Sequence, residues 1–179
     1  MQSADTSQNF FELFGIEPAF DIDRVQLQDR QRQLQSSFHP DRHVNAGERE
    51  KRVAIQMASW INQAHDVLKD PVKRARYLLE LNGADIPDDS ATTSDTAFLM
   101  EQIELREQVE TCREREDGLE FSRSIESQLR HRADELAAAF VTAFDNAEFP
   151  TAVEAYRKMQ FIQRIQHQLD ELQFELEDF

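Results

Sequence analysis

Residues 48–71, EREKRVAIQMASWINQAHDVLKDP, carry apolar side chains at the spacing of one α-helical face. The repeating positions are Val53, Met57, Trp60, Ile61, Ala64 and Leu68. Because neighbours on a helix surface lie three or four residues apart, this pattern predicts a helix with one buried side, beginning at Glu48. Asp70-Pro71 ends it and begins the next helix, since proline fits the first turn of a helix but not its interior.

Shorter helices are predicted on both sides of this segment. A Phe-rich helix of one or two turns covers residues 10–14. Asp21 or Asp23 is the predicted N-cap of a second helix that runs to about Phe38, because a carboxylate there can accept from the first free backbone N–H groups. A short fourth helix follows the proline at residues 72–81. The first half of the chain is therefore expected to hold four helices.

The second half has a different composition. Residues 82–90 gather Gly, Pro, Asn, Asp and Ser, which predicts a break between a domain at residues 1–82 and a linker at 83–94. Residues 95–179 are predicted to form a C-terminal three-helix domain. Its helices are expected at about 95–112, 118–147 and 151–177. With 4 Gly and 5 Pro in 179 residues, the fold class is predicted to be all-α.

Charge is distributed unevenly between the halves. Residues 1–82 have a net charge of −1 and residues 83–179 a net charge of −14. Phosphates would be repelled by the acidic half, so we expect no nucleic-acid partner and favour proteins with basic patches. The lone Cys112 allows no disulfide within the chain, and no apolar run approaches the length of a membrane span. A cytoplasmic protein that binds no membrane is therefore expected.

The loop between the second and third helices contains His39-Pro40-Asp41. Pro40 fixes its own φ and favours an extended His39, so the imidazole and the Asp41 carboxylate should project from a stiff turn. A carboxylate presented in this way suits a bidentate arginine on a partner, and the nearby arginines suit an acidic surface. These arginines are Arg24, Arg30, Arg32 and Arg42. The loop is predicted to be a recognition tip.

The order of these helices and the tripeptide over residues 10–81 resembles a J-domain. The resemblance implies that the tripeptide and the arginines dock on a DnaK-type chaperone and stimulate its ATPase, so the chain would be an activator and not an enzyme. Two other interpretations of the loop stay open. His39, Asp41 and His43 could bind a metal or act as a general base, or the loop could merely join two helices.

The first helix of the acidic half carries a second candidate site. At about 100° per residue, one side of this helix is apolar and predicted to be buried. That side consists of Phe98, Leu105, Val109 and Cys112. The opposite side mixes apolar and acidic residues, which is typical of a protein-binding surface. Its members are Leu99, Met100, Ile103, Glu104 and Glu107. The alternative is that these residues pack on another helix of the same bundle or on the N-terminal domain.

Three segments resemble the HscB family, the J-protein co-chaperones of iron–sulfur cluster biogenesis, in its bacterial form. They are DTAFLMEQIELRE at 95–107, RARYLLELNG at 74–83 and LEDF at 176–179. The resemblance implies an L-shaped molecule whose C-terminal domain binds an IscU-type scaffold and delivers it to an HscA-type chaperone. It assigns the scaffold contacts to the five residues of the second side and to Phe161.

One position of the acidic side departs from the pattern of the family. An acidic residue is often found one turn after Glu107 in the family, and Thr111 stands there in this chain. No resident iron–sulfur cluster is expected, because a single cysteine cannot hold one. No other metal or cofactor is expected either. A general J-protein for misfolded clients is the alternative function, although such proteins usually contain Gly-rich or Cys-rich regions that this sequence lacks.

Overall fold

The computed structural model describes residues 8–38, 47–87 and 95–177, and every regular element in these ranges is helical. The α-helices are α1 (Phe10–Phe14), α2 (Arg24–Phe38), α3 (Glu48–Lys69), α4 (Pro71–Leu81), α5 (Thr96–Thr111), α6 (Gly118–Asp145) and α7 (Phe149–Glu177). The chain divides into two units, Met1–Leu78 and Leu79–Phe179. The predicted division at residue 82 lies four residues further along, and α4 spans the observed one.

The first helix is short and is held at both ends by its own residues. Asn9 Oδ1 accepts from the Glu12 N–H, and the Glu12 carboxylate accepts from the Asn9 N–H in return. Gly15 ends the helix in the left-handed region at φ 63°, which glycine adopts without a Cβ clash. All three phenylalanines of α1 are buried, so five residues supply a substantial part of the first core.

Aromatic side chains connect α1 to α3 and α4. The Phe10 ring stacks on Tyr77 at 4.6 Å and meets Trp60 edge-on at 4.9 Å, measured between ring centroids. The Tyr77 hydroxyl also accepts a hydrogen bond from the Phe10 N–H at 2.9 Å. Since one ring contacts two helices, α1 has a defined position against both.

The helical hairpin α2–α3 follows the predicted boundaries. Asp23 is the cap at the start of α2, where its Oδ1 accepts from the N–H groups of Val25 and Gln26. Of the six predicted apolar positions in α3, Val53 and Trp60 are only half-buried. The other four are fully buried and face Leu27 and the α1 aromatics in one core: Met57, Ile61, Ala64 and Leu68.

A buried arginine joins the end of α3 to the start of α4. Arg74 is 4% exposed, donates from Nη1 to the Leu68 carbonyl at 2.5 Å, and lies 5.0 Å from the centroid of the Phe20 ring. Burial lowers the pKa of this guanidinium to about 10, with the positive charge of Arg24 adding to the effect. The hydrogen bond satisfies a carbonyl at the C-terminus of α3, which has no partner within its own helix.

In the second unit, α6 and α7 form a long helical hairpin. The inward face of α6 consists of Ile125, Leu129, Leu136, Phe140 and Ala143. The facing residues of α7 include Ile162, Ile165, Leu169 and Leu172. Near the open end, Gln173 Nε2 donates to the buried Ser122 hydroxyl at 3.1 Å, which adds a directional contact to an otherwise apolar seam. The helix predicted to end at residue 147 ends at Asp145, and α7 starts one residue before Pro150.

The connection from α5 to α6 is tight. One turn of 3-10 helix, Cys112–Glu114, follows α5, and a Cβ placed on Gly118 would lie 2.2 Å from the Cys112 carbonyl oxygen. Only glycine allows the two backbone segments to come this close, so the end of α5 packs directly against the first turn of α6. None of the described helices is long and apolar enough to cross a lipid bilayer.

Candidate partner-binding site

Helix α5 begins with a cap that also orients it. Asp95 Oδ1 accepts from the Phe98 N–H at 3.0 Å, in the position of a helix N-cap. Phe98 and Leu105 are buried, as the helical pattern predicts, while Val109 is half-buried. With this side facing the other helices of its own unit, the opposite side of α5 faces away from them.

The side of α5 that faces outward is the mixed apolar and acidic one. Met100 is 53% exposed and Ile103 is 49% exposed, and both carboxylates, Glu104 and Glu107, are exposed. Leu99 is half-buried. We call these five residues the α5 surface. Because its apolar members lie on the outside of the bundle, they can be buried only by another protein or a further segment of chain.

Phe161 does not lie on this surface. It is 4% exposed, and its ring meets Phe98 edge-on with the centroids 5.6 Å apart. The Arg106 guanidinium is 5.5 Å from its centroid. The resemblance placed Phe161 among the scaffold contacts, whereas the structure places it in the core beneath α5. Phe161, Ile165 and Leu169 recur four residues apart, and this helical spacing is the sequence signal for a buried position.

The acidic character of the α5 surface weakens towards the end of the helix. Thr111 is exposed, and its hydroxyl donates to the Glu107 carbonyl at 2.7 Å within the helix. A hydroxyl engaged in this way adds no charge to the surface. Glu104 and Glu107 are therefore the carboxylates of the α5 surface that could meet a basic partner, and Glu110, the neighbour of Thr111, is exposed as well.

Two ion pairs that the sequence did not predict hold α5 to its neighbouring helices. Arg132 of α6 binds Glu101 with two hydrogen bonds, Nε to Oε1 at 2.7 Å and Nη2 to Oε2 at 2.9 Å. Lys158 of α7 donates from Nζ to Asp95 Oδ2 at 2.6 Å. Glu101 lies next to the buried side of the helix. A carboxylate in that position needs a cation or hydrogen-bond donor on a neighbouring helix, and this requirement is the sequence signal from which the first pair could have been predicted.

These ion pairs change the proton affinity of their members. The hydrogen bond from Lys158 is the main cause that holds the pKa of Asp95 below its ordinary value, and the bond from the Phe98 N–H adds to it. The hydrogen bonds to Glu101 and Glu135 raise the pKa of Arg132, with Glu101 contributing more. Both groups are therefore held in their charged forms by the folded unit.

The predicted chaperone-binding residues fall partly outside the described part of the chain. His39, Pro40, Asp41 and Arg42 lie there, together with His43 of the alternative metal site. Arg24, Arg30 and Arg32 are exposed on α2. At about 100° per residue, Arg30 lies about 120° or more around the helix from the other two, so the three do not share one face. Arg32 is 3.6 Å from Asp29, and Arg30 donates to the Gln33 side chain.

Metal ligands do not gather elsewhere in the described ranges. Among residues 8–38, 47–87 and 95–177, no group of three His, Cys, Asp or Glu side chains is placed to hold a metal ion. Cys112 is buried and its Sγ donates to the Gln108 carbonyl at 3.4 Å. Desolvation raises the pKa of this thiol, which keeps it in the unreactive protonated form.

Sequence comparison identifies the family. A co-chaperone protein HscB homolog of Aeromonas hydrophila is 38% identical over 162 residues, which cover 90% of this chain and 94% of that protein. The chain belongs to the HscB family. A sequence model of the HscB C-terminal oligomerisation domain also matches residues 94–170, which contain α5, α6 and most of α7.

Solved structures of HscB proteins share the fold. The chaperone HscB from Vibrio cholerae superposes with a TM-score of 0.85 at 33% identity, covering 94% of this chain and 99% of that one. Human co-chaperone HscB superposes with a TM-score of 0.86 at 29% identity, covering 93% and 83% respectively. The predicted all-α fold, with a J-domain followed by a C-terminal helical bundle, is confirmed.

Proposed function

We propose that this HscB-family chain is an adaptor in iron–sulfur cluster assembly, which binds an IscU-type scaffold and presents it to an HscA-type chaperone. One observation carries the scaffold part of this proposal. Met100 and Ile103 are about half exposed on a helix whose other side is buried, and carboxylates flank them at Glu104 and Glu107. Apolar side chains within an acidic rim fit a partner that offers an apolar patch surrounded by lysine or arginine.

Apolar burial would supply most of the binding free energy. Each well-buried side chain of this size contributes about 1.5–3 kcal/mol when it leaves water. Met100 and Ile103 are the main contributors, and Leu99 adds the part of its side chain that is still accessible. The carboxylates would mainly guide the approach of the partner and set its orientation, because exposed charges are screened by salt. Phe161 would act by supporting α5 from beneath.

The first unit would supply the contact with the chaperone. Its support comes from the sequence of the loop at residues 39–41 and from the helical hairpin that carries this loop, α2 and α3. Asp41 would pair with an arginine of the chaperone, and exposed arginines of α2 would approach an acidic surface of it. ATP hydrolysis would take place in the chaperone, and no residue of this chain would act on the nucleotide.

Joining both contacts in one chain explains why an adaptor is useful. When the scaffold is bound to α5 and the chaperone to the first unit, their encounter becomes intramolecular and proceeds at a raised effective concentration. A weak contact between scaffold and chaperone would then suffice. A general J-protein would not need a specific surface of this kind, and would tolerate its loss.

The scaffold contact can be tested by calorimetric titration of the chain with purified IscU-type scaffold. The triple variant Leu99→Ala/Met100→Ala/Ile103→Ala should weaken binding by about a hundredfold, since each truncation removes part of a buried side chain. Phe174→Ala is the matched control, because Phe174 is 68% exposed and belongs to α7, not to α5. Equal affinities for the triple variant and the wild type would refute the assignment of the surface.

A further inference from the structure

Helix α5, which carries the α5 surface, buries few apolar side chains against the rest of its unit. Within α5 only Phe98 and Leu105 are buried hydrophobic residues, whereas α6 and α7 each bury a longer series. Two apolar contacts on one side fix the distance of a helix from its neighbours better than its rotation or its shift along the axis. Polar contacts with the neighbouring helices can therefore add to the orientation of α5.

The Arg132–Glu101 pair lies beside the α5 surface, on the edge of the helix that meets α6. Glu101 follows Met100 and precedes Ile103 by two residues, so its direction determines where both side chains point. The Arg132 guanidinium donates to both carboxylate oxygens of Glu101, at 2.7 and 2.9 Å, and from Nη1 to the Glu135 carboxylate at 2.9 Å. A two-point contact fixes direction as well as distance, and Glu135 in turn holds the guanidinium from its own helix.

A second ion pair holds the start of α5 to α7, the other neighbouring helix. Lys158 of α7 binds Asp95 at 2.6 Å, and Asp95 caps the helix through the Phe98 N–H. The Lys158 ammonium is also 5.3 Å from the centroid of the Phe98 ring. The two cations belong to different helices and bind α5 six residues apart, so together they oppose both rotation and sliding of the helix.

We propose that Arg132, assisted by Lys158, is a positioning residue for partner binding, which fixes the rotation of α5 so that Met100 and Ile103 face outward. The inference rests on the proposed function of the α5 surface. It assigns a binding role to residues that need not touch the partner. It also means that part of the salt dependence of binding arises inside this chain, because salt weakens the two pairs that hold the helix.

Charge reversal and its repair test this role. Arg132→Glu and Glu101→Arg should each raise the dissociation constant for IscU-type scaffold about tenfold, and the double variant should recover most of the loss. The matched control is Arg130→Glu, since Arg130 pairs with Glu126 at 2.6 Å within α6 and makes the same charge change. Equal weakening by Arg130→Glu, or no recovery in the double variant, would overturn the proposal.

Amide hydrogen exchange of the free chain separates this inference from the proposed function. Arg132→Glu should speed exchange in α5 while leaving α6 and α7 protected, and the double variant should restore slow exchange. Unchanged α5 exchange in Arg132→Glu would overturn the positioning role even if binding were weaker. If the wild type did not bind the scaffold, the proposed function would be refuted. Faster α5 exchange in Arg132→Glu would then still show that Arg132 positions the helix.

Discussion

The ring of Phe161 meets the ring of Phe98 edge-on, at a centroid distance of 5.6 Å and an interplanar angle of 84°. This contact joins α7 to the inward side of α5, directly beneath the α5 surface. A substitution at Phe161 therefore acts on folding before it acts on binding. The same contact separates residues that could touch a partner from residues that support them.

Phe161→Ala should lower the free energy of unfolding by about 3–5 kcal/mol, the usual cost of removing a buried phenylalanine ring. Urea unfolding followed by far-UV circular dichroism measures this. Phe174→Ala, at a largely exposed ring, should change stability by about 0.5 kcal/mol or less. Weak scaffold binding by a Phe161→Ala chain of unchanged stability would instead make Phe161 a direct contact.

Gly118→Ala should destabilise the second unit by about 2 kcal/mol or more, because the new Cβ would collide with a backbone oxygen that cannot rotate away. The collision is with the Cys112 carbonyl, 2.2 Å from the position of that Cβ. Gly47→Ala is the control, since nothing lies within 4 Å of the corresponding Cβ. Thermal unfolding of both variants gives the comparison, and equal melting temperatures would contradict the tight connection between α5 and α6.

Asp95→Asn should reduce the loss of stability at acid pH. The folded state lowers the pKa of Asp95, so its stabilising effect is complete above the ordinary aspartate pKa of about 3.9 and disappears as pH falls through the lower folded value. The wild type should therefore be more stable than Asp95→Asn at about pH 5, and this difference in stability should disappear as the pH falls and Asp95 becomes protonated. Melting temperatures over this range measure it, with Asp170→Asn as an exposed control on α7. A constant difference at all pH values would contradict the Lys158–Asp95 pair.

Tyr77→Phe should weaken the attachment of α1 while keeping the aromatic stack. It removes the hydroxyl that accepts from the Phe10 N–H at 2.9 Å, and one such bond is worth about 0.5–1.5 kcal/mol. Trp60 is the single tryptophan and contacts Phe10, so its fluorescence reports unfolding of the first unit. If Tyr77→Phe unfolded at the same urea concentration as wild type, the hydrogen bond would contribute nothing to this attachment.

Local signals predicted most of the helical boundaries. The start of α2 follows from the side-chain chemistry of Asp23, and that of α5 from Asp95, because each carboxylate accepts from backbone N–H groups that the helix leaves free. Pro150 marks the start of α7 within two residues. Boundaries of this kind depend on a few neighbouring residues, which is why the sequence alone reveals them.

Contacts between residues that are far apart in the sequence do not follow from such local signals. The helical pattern showed that Met100 and Ile103 share one side of α5, but not that Glu101 meets Arg132, which is 31 residues away. The placement of Phe161 in the core likewise depends on how α5 and α7 approach each other. Periodicity gives the side of a helix on which a residue lies, and only packing decides what that side meets.

The adaptor function is tested most directly by the steady-state ATPase rate of purified HscA-type chaperone with this chain, with IscU-type scaffold, and with both. We expect stimulation by both together to exceed the sum of the separate effects. His39→Gln should abolish it at any concentration, while Leu99→Ala/Met100→Ala/Ile103→Ala should shift it to higher scaffold concentration. Stimulation that is merely additive would leave a J-protein without this client, and no stimulation at all would contradict the co-chaperone function.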